Sequence, residues 1–147
     1  GLWVGGKVMY KLEQAVADGG RLIIYAPHLR ELSRTWGAHI QRVGYHVRDY
    51  FLGQWERFRD EPLAVLAHCT HVKGLGRCEG GQERPRIEVL LATGLPEDLC
   101  RKVNLGYLDP AGVRLQGYRG REAEGILCVD PAGETLYRYG AAPPRKS

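Results

Sequence analysis

The sequence predicts a single α/β domain, with helices packed on a central mixed sheet of about four to five strands. Three observations point there. An amphipathic stretch, a glycine turn and a continuous apolar run follow one another near the start of the chain. A second apolar run recurs in the middle, followed by a short helical stretch. The chain has 147 residues, 44% of them hydrophobic and 26% charged, which suits one folded domain with its own core.

The elements can be justified in order. From Lys7 to Ala17, apolar residues fall at Val8, Leu12, Ala15 and Val16, which is helical spacing. Asp18-Gly19-Gly20 ends it, since glycine accepts the left-handed conformation past a helix at low cost. Arg21 to Ala26 (RLIIYA) reads as a strand buried on both faces, as in parallel sheets, with Pro27 closing it. Thr35 to Val43 reads as a helix, capped by Ser33 or Thr35 and broken at Gly44. Tyr45 to Phe58 carries Val47, Tyr50, Phe51 and Trp55 at helical spacing and is expected to be one long helix. Pro62 opens a helix over Leu63 to Val72, a stretch that is also apolar enough for a strand.

Gly74 to Pro85 (GLGRCEGGQERP) holds four glycines and reads as a loop. Arg86 to Thr93 is the second strand, and Pro96 starts a helix that runs to Val103. Asp109 to Gly120 is polar and weakly patterned. Gly125 to Val129 and Glu134 to Tyr139 read as strands joined by an Asp130-Pro131-Ala132-Gly133 turn. Residues 1–140 are thus expected to form the domain, and 141–147 a frayed tail.

Composition excludes several function classes. No apolar run approaches the ~18 residues needed to span a bilayer, so no membrane partner is expected. The net charge is +4, but Lys and Arg are scattered among 17 acidic residues rather than gathered in an aromatic-laced patch. That pattern fits a small anionic ligand and not a nucleic acid. Cys69, Cys78, Cys100 and Cys128 form no C-x-x-C pair, and they read as free thiols in a reducing cytoplasm. The chain opens on Gly1 rather than Met, which suggests a portion of a longer polypeptide.

Four groups of residues are candidates for chemistry. His28 follows the carboxyl end of the first strand, where ligands sit in open α/β sheets; a histidine there can donate to a carboxylate or move a proton. Its alternative is a loop residue capping a neighbouring helix. His68-Cys69-Thr70-His71 sets two imidazoles three residues apart, on one helical face, with a thiol between them. Zinc would need further ligands, and the chain offers no second pair, so these are equally polar residues beside a tight loop. Lys73, Arg77, Arg84 and Arg86 surround the glycine-rich segment, where backbone N–H groups and guanidiniums bind carboxylates or phosphates. It has neither the Walker order nor a dinucleotide fingerprint, and taken alone it reads more readily as a solvated surface loop. Tyr10, Lys11 and Gln14 lie on the first helix, with Tyr10 and Gln14 on one face; they suit a hydroxy-carboxylate or form an exposed polar stripe.

The segments VMYKLEQAVADGGRLIIYAPH, GYHVRDYF, LAHCTHVKG, LLATGLPEDLCRKVNLGYLDP and AGETLYRY occur in this order from Val8 to Tyr139. Together the string resembles the carboxyl-terminal part of the lactate racemase-like family, the nickel-pincer-nucleotide racemases and epimerases of 2-hydroxy acids. The wording is closest to a sugar-acid epimerase-like branch. The resemblance implies a cytoplasmic isomerase whose catalytic histidines, cofactor lysine and nickel ligand lie in an amino-terminal domain of the same polypeptide. This chain would then close over a hydroxy-acid substrate and hold no cofactor itself. The family's lid helix carries a Tyr-Gln-x-x-Lys pattern that contacts substrate. Tyr10 matches its tyrosine, while Lys11 stands where glutamine is expected and Gln14 where lysine is expected. His28, Lys73 and Arg77 are expected to line the same cleft. The alternative function is a non-catalytic ligand- or metal-binding module built on His68, Cys69 and His71.

Overall fold

The computed structural model describes residues 2, 9, 12–126 and 128. It is an α/β fold. Its principal sheet has three parallel strands in the order β1-β4-β5: β1 is Arg21–Ala26, β4 is Glu88–Thr93 and β5 is Gly106–Leu108. The remaining two strands, β2 (Gly76–Glu79) and β3 (Gln82–Pro85), form a separate antiparallel hairpin. The five described strands therefore divide between two sheets, where one mixed sheet was expected.

Position in the sheet explains burial. Central β4 has neighbours on both sides, and every residue from Val89 to Thr93 is buried. β1 pairs with β4 in register, Leu22 beside Val89 and Ile24 beside Leu91. Only alternate residues of β1 are buried: Leu22 and Ile24 face the core, while Ile23 is half-buried and Tyr25 is 40% exposed. The expectation that both faces of β1 are covered is corrected here. β1 has one paired neighbour among the described strands, so the alternating pleat leaves one face partly open.

Five helices are bounded among the described residues. α1 is Gly37–Val43, α2 Arg48–Leu52, α3 Trp55–Phe58, α4 Leu63–Lys73 and α5 Glu97–Lys102. The single helix expected over Tyr45 to Phe58 is two short ones. Tyr45 and Val47 are fully buried ahead of α2, and Gly53 separates α2 from α3. Glycine weakens a helix interior, and tertiary packing of Phe51 and Phe58, with ring centroids 5.0 Å apart, favours the bend. Ser33 Oγ accepts from Trp36 N at 3.0 Å ahead of α1. Gly44, at φ +78, ends that helix.

The glycine-rich segment is a hairpin rather than a loop. Gly80 and Gly81 have φ of +58 and +77. Two consecutive positive φ values are what a two-residue turn with the right-handed strand twist demands. Glu13–Ala15 is a short 3-10 turn, and the rest of the first predicted helix lies largely outside the described residues. So do Tyr10, Lys11, the tail, and most of the two strands expected over 125–139. Pro110–Gly112 and Leu115–Gly117 are single 3-10 turns.

One hydrophobic core joins the elements. Leu22, Ile24 and Leu91 of the sheet pack with Ile40, Phe51, Val65 and Cys69 from the helices. Leu91 and Val65 are fully buried.

Candidate functional site

A parallel sheet has two chemically distinct edges, and this one carries candidate residues on both. The amino edge is the more elaborate. The β2–β3 hairpin leads directly into β4, so it sits where β4 begins. Gly19 N donates to Arg86 O at 2.8 Å, and Glu88 N to Gly20 O at 2.9 Å, which brings the turn before β1 to the same edge.

Arg86 ties this edge together. Its Nη1 donates to Val16 O at 2.7 Å and to Asp18 Oδ1 at 3.0 Å, and its Nη2 donates to Glu13 O at 2.7 Å. The Glu13 carboxylate in turn accepts from Leu75 N. The segment bearing Gln14 is thereby pinned against the residues that open the hairpin. Gln14 itself is exposed. A cleft of about 570 Å³ runs along the edge, lined in part by Lys73, Arg86, Arg101 and Asn104.

Behind the cleft lies a polar hub that joins the hairpin to the helices. The Glu83 carboxylate accepts from Val47 N at 2.6 Å, from His46 Nδ1 at 3.0 Å and from Asn104 Nδ2 at 3.0 Å. Burial alone would raise that carboxyl. The hydrogen bonds from His46 and Val47, with the charges of His46 and Lys73, outweigh it and hold Glu83 below its ordinary range. Asn104 also donates to Tyr45 O at 2.9 Å, so both amide protons are used. It sits just past α5 at φ +65, the one positive φ outside glycine among the described residues. Lys73 Nζ donates to Asn104 O at 2.7 Å. Burial lowers the Lys73 ammonium, partly offset by Glu83 and Glu88. His46 stacks on Tyr50, with centroids 3.7 Å apart. Sequence reading did not single out His46, Glu83 or Asn104. The signal present was a lone Asn after a helix, which often takes the left-handed cap.

The sequence-predicted residues divide accordingly. Lys73 lines the larger cleft and Arg77 a separate groove, both at the amino edge, where the Gln14 segment is pinned through Glu13 and Arg86. His28 does not join them. It is exposed in the turn after β1, at the carboxyl edge. A six-residue strand separates the two edges by roughly 17 Å. The expectation that His28 and the Lys73/Arg77 segment line one cleft is corrected on that ground. Lys73 also points its ammonium at a backbone carbonyl, which leaves Arg77 as the cation of the pair whose side chain has no partner among the described residues.

The His68, Cys69 and His71 group does not converge either. His68 is buried on α4 and shares a 2.9 Å hydrogen bond with the Tyr45 hydroxyl. Burial, with a smaller contribution from His71, pushes His68 down to about 4. Cys69 is fully buried, and desolvation raises its thiol to about 12, so it is neither a ready nucleophile nor a ready ligand. His71 is exposed. Among the described residues, no group of three or more His, Cys, Asp or Glu side chains is placed to hold a metal ion.

No family model and no curated protein matches the chain. It is similar to a solved structure, the crystal structure of a protein from Thermotoga maritima determined by the Northeast Structural Genomics Consortium. The two are 37% identical with a TM-score of 0.84, over 92% of this chain and 33% of that one. The likeness shows the α/β fold. The chain spans about a third of the length of that protein.

Proposed function

We propose that this chain is the substrate-closing part of a longer racemase or epimerase of 2-hydroxy acids or sugar acids. The observation that carries the reading is the match of nearly the whole chain to one third of a longer protein. The ordered motif string, which resembles the carboxyl-terminal part of the lactate racemase-like family, supplies the reaction class.

On this reading a nickel pincer nucleotide, held elsewhere in the polypeptide, would supply the hydride chemistry needed at the hydroxyl-bearing carbon. The described residues offer no ligand set for that nickel. Their part is binding and closure. Arg77 presents a guanidinium to the substrate carboxylate, and Gln14, pinned to the same edge through Glu13 and Arg86, offers an amide to its hydroxyls. Tyr10 and Lys11 take their role from the resemblance alone. The compartment signal is chemical: all four cysteines are free, in keeping with a cytoplasmic enzyme. No helix among the described residues is long and apolar enough to cross a membrane.

The test is optical. The cofactor-loaded, full-length polypeptide is incubated with single enantiomers of lactate, glycerate and sugar acids, and optical purity is followed. Loss of optical purity is expected with the full polypeptide and none with the 147-residue chain alone. Racemisation by the chain alone overturns the reading. So does a cofactor-loaded polypeptide that leaves every substrate unchanged.

A further inference from the structure

The open face of the β2–β3 hairpin carries an arrangement that stability alone disfavours. Arg77 and Arg84 are directly opposed across the antiparallel pair. Side chains of directly opposed residues share one face, and like charges placed so destabilise the pair. The opposite face, with Glu83, is fastened to the body through Val47 N and His46. The two guanidiniums therefore lie on the outward face, and both residues are exposed.

Nothing in the described structure neutralises them. Other arginines nearby are matched: Arg21 with Glu88, Arg101 with Glu97, and Arg86 with Asp18. Arg77 and Arg84 have no hydrogen-bond or ion-pair partner among the described residues. Glu79, on the same face, pairs with neither. Between them and the β1 turn is a groove of about 400 Å³, lined by Asp18, Leu75, Gly76, Arg77, Arg84 and Arg86. Asp18 is already engaged by Arg86, and Leu75, 64% exposed, supplies an apolar wall.

We propose that this groove binds a small oxyanion, a carboxylate or a phosphate, forked between the Arg77 and Arg84 guanidiniums. Two planar forks on opposed strands can each give paired N–H donors to one anionic group. Leu75 then contacts the adjoining carbon. A bound anion offsets the repulsion between the two guanidiniums. Arg77 is also the residue placed on the substrate carboxylate above, but the binding inference stands on the hairpin and does not require racemisation.

The experiment measures binding of inorganic phosphate and of malonate by titration calorimetry, against chloride at equal ionic strength, together with unfolding temperature. Saturable binding of at least one is expected. Binding of phosphate alone identifies a phosphate site, and of malonate alone a carboxylate site. Arg84→Glu should weaken binding about 10-fold or more, the loss of a charge-assisted bond. In ligand-free buffer it should also raise the unfolding temperature, because opposite charges then face each other. Arg77→Gln is the second variant, expected to weaken binding similarly while the fold persists. Arg57→Ala, on α3, should bind as the parent does. The proposal falls if neither anion binds above chloride. It also falls if both hairpin variants bind like the parent.

Discussion

Acid should unfold this protein early, and His68 gives the reason. An ordinary histidine titrates near 6.5, but burial on α4 pushes His68 down to about 4. Between those values the unfolded chain binds a proton that the folded chain refuses. Stability is therefore whole above pH 6.5 and falls as pH drops toward 4. At pH 5 the loss from this one group is about 2 kcal/mol, approaching about 3 kcal/mol below pH 4. That is a large share of a marginal domain stability. The carboxylates act lower on the scale. Glu61, held down to about 2 chiefly by its hydrogen bond from Arg42, costs stability only as pH falls below its ordinary 4.5. Above pH 5 the carboxylates thus contribute little, and comparison with a variant lacking the imidazole isolates His68. Urea denaturation at pH 7.5, 6 and 5, on the parent and on His68→Gln, reads the difference directly. Glutamine keeps a polar partner for the Tyr45 hydroxyl and does not titrate. The parent should lose about 2 kcal/mol more than the variant between pH 7.5 and pH 5. Equal losses in the two proteins would show that His68 is not desolvated as described.

Two further outcomes test the fold. Ile24→Ala, which removes a side chain that is only 4% exposed, should cost about 2–5 kcal/mol in chemical denaturation. Ile23→Ala should cost clearly less, since its face of β1 is half open, and equal costs would contradict the alternating burial. Asn104→Gly should lose the two amide hydrogen bonds but keep the backbone at ease, whereas Asn104→Ala should pay about 1–2 kcal/mol more for a left-handed Cβ. Thermal unfolding of both variants separates the two contributions; an alanine variant as stable as the glycine one would remove the backbone argument.

Much of the fold was legible because it depends on local rules. The apolar run Arg21–Ala26 is a strand at the predicted bounds. Asp18-Gly19 turns before it with Gly19 at φ +76, and Pro62 opens α4. The second run forms the central strand, buried throughout after Glu88. Each follows from hydrophobic period and from the backbone freedom of glycine or the fixed φ of proline. The hairpin was equally local, since Gly80-Gly81 is a two-residue turn signal, but four glycines and four charged residues masked the strands beside it. β5 has only three residues, too few for any period to show.

Tertiary structure alone decided where chemistry gathers. Glu83, His46 and Asn104 are separated by 21 to 58 residues along the chain, yet they share one carboxylate. Spacing cannot reveal such a hub, because nothing local requires those residues to meet. His28 and Arg77 each looked suited to one cleft, and the direction of the parallel strands set them at opposite edges. Residue type and backbone preference act over a few positions and were readable in order along the chain. Strand order, strand direction and burial arise only when distant segments pack together. Those determined that His68 is a desolvated core imidazole and that Arg77 and Arg84 face each other with no partner among the described residues.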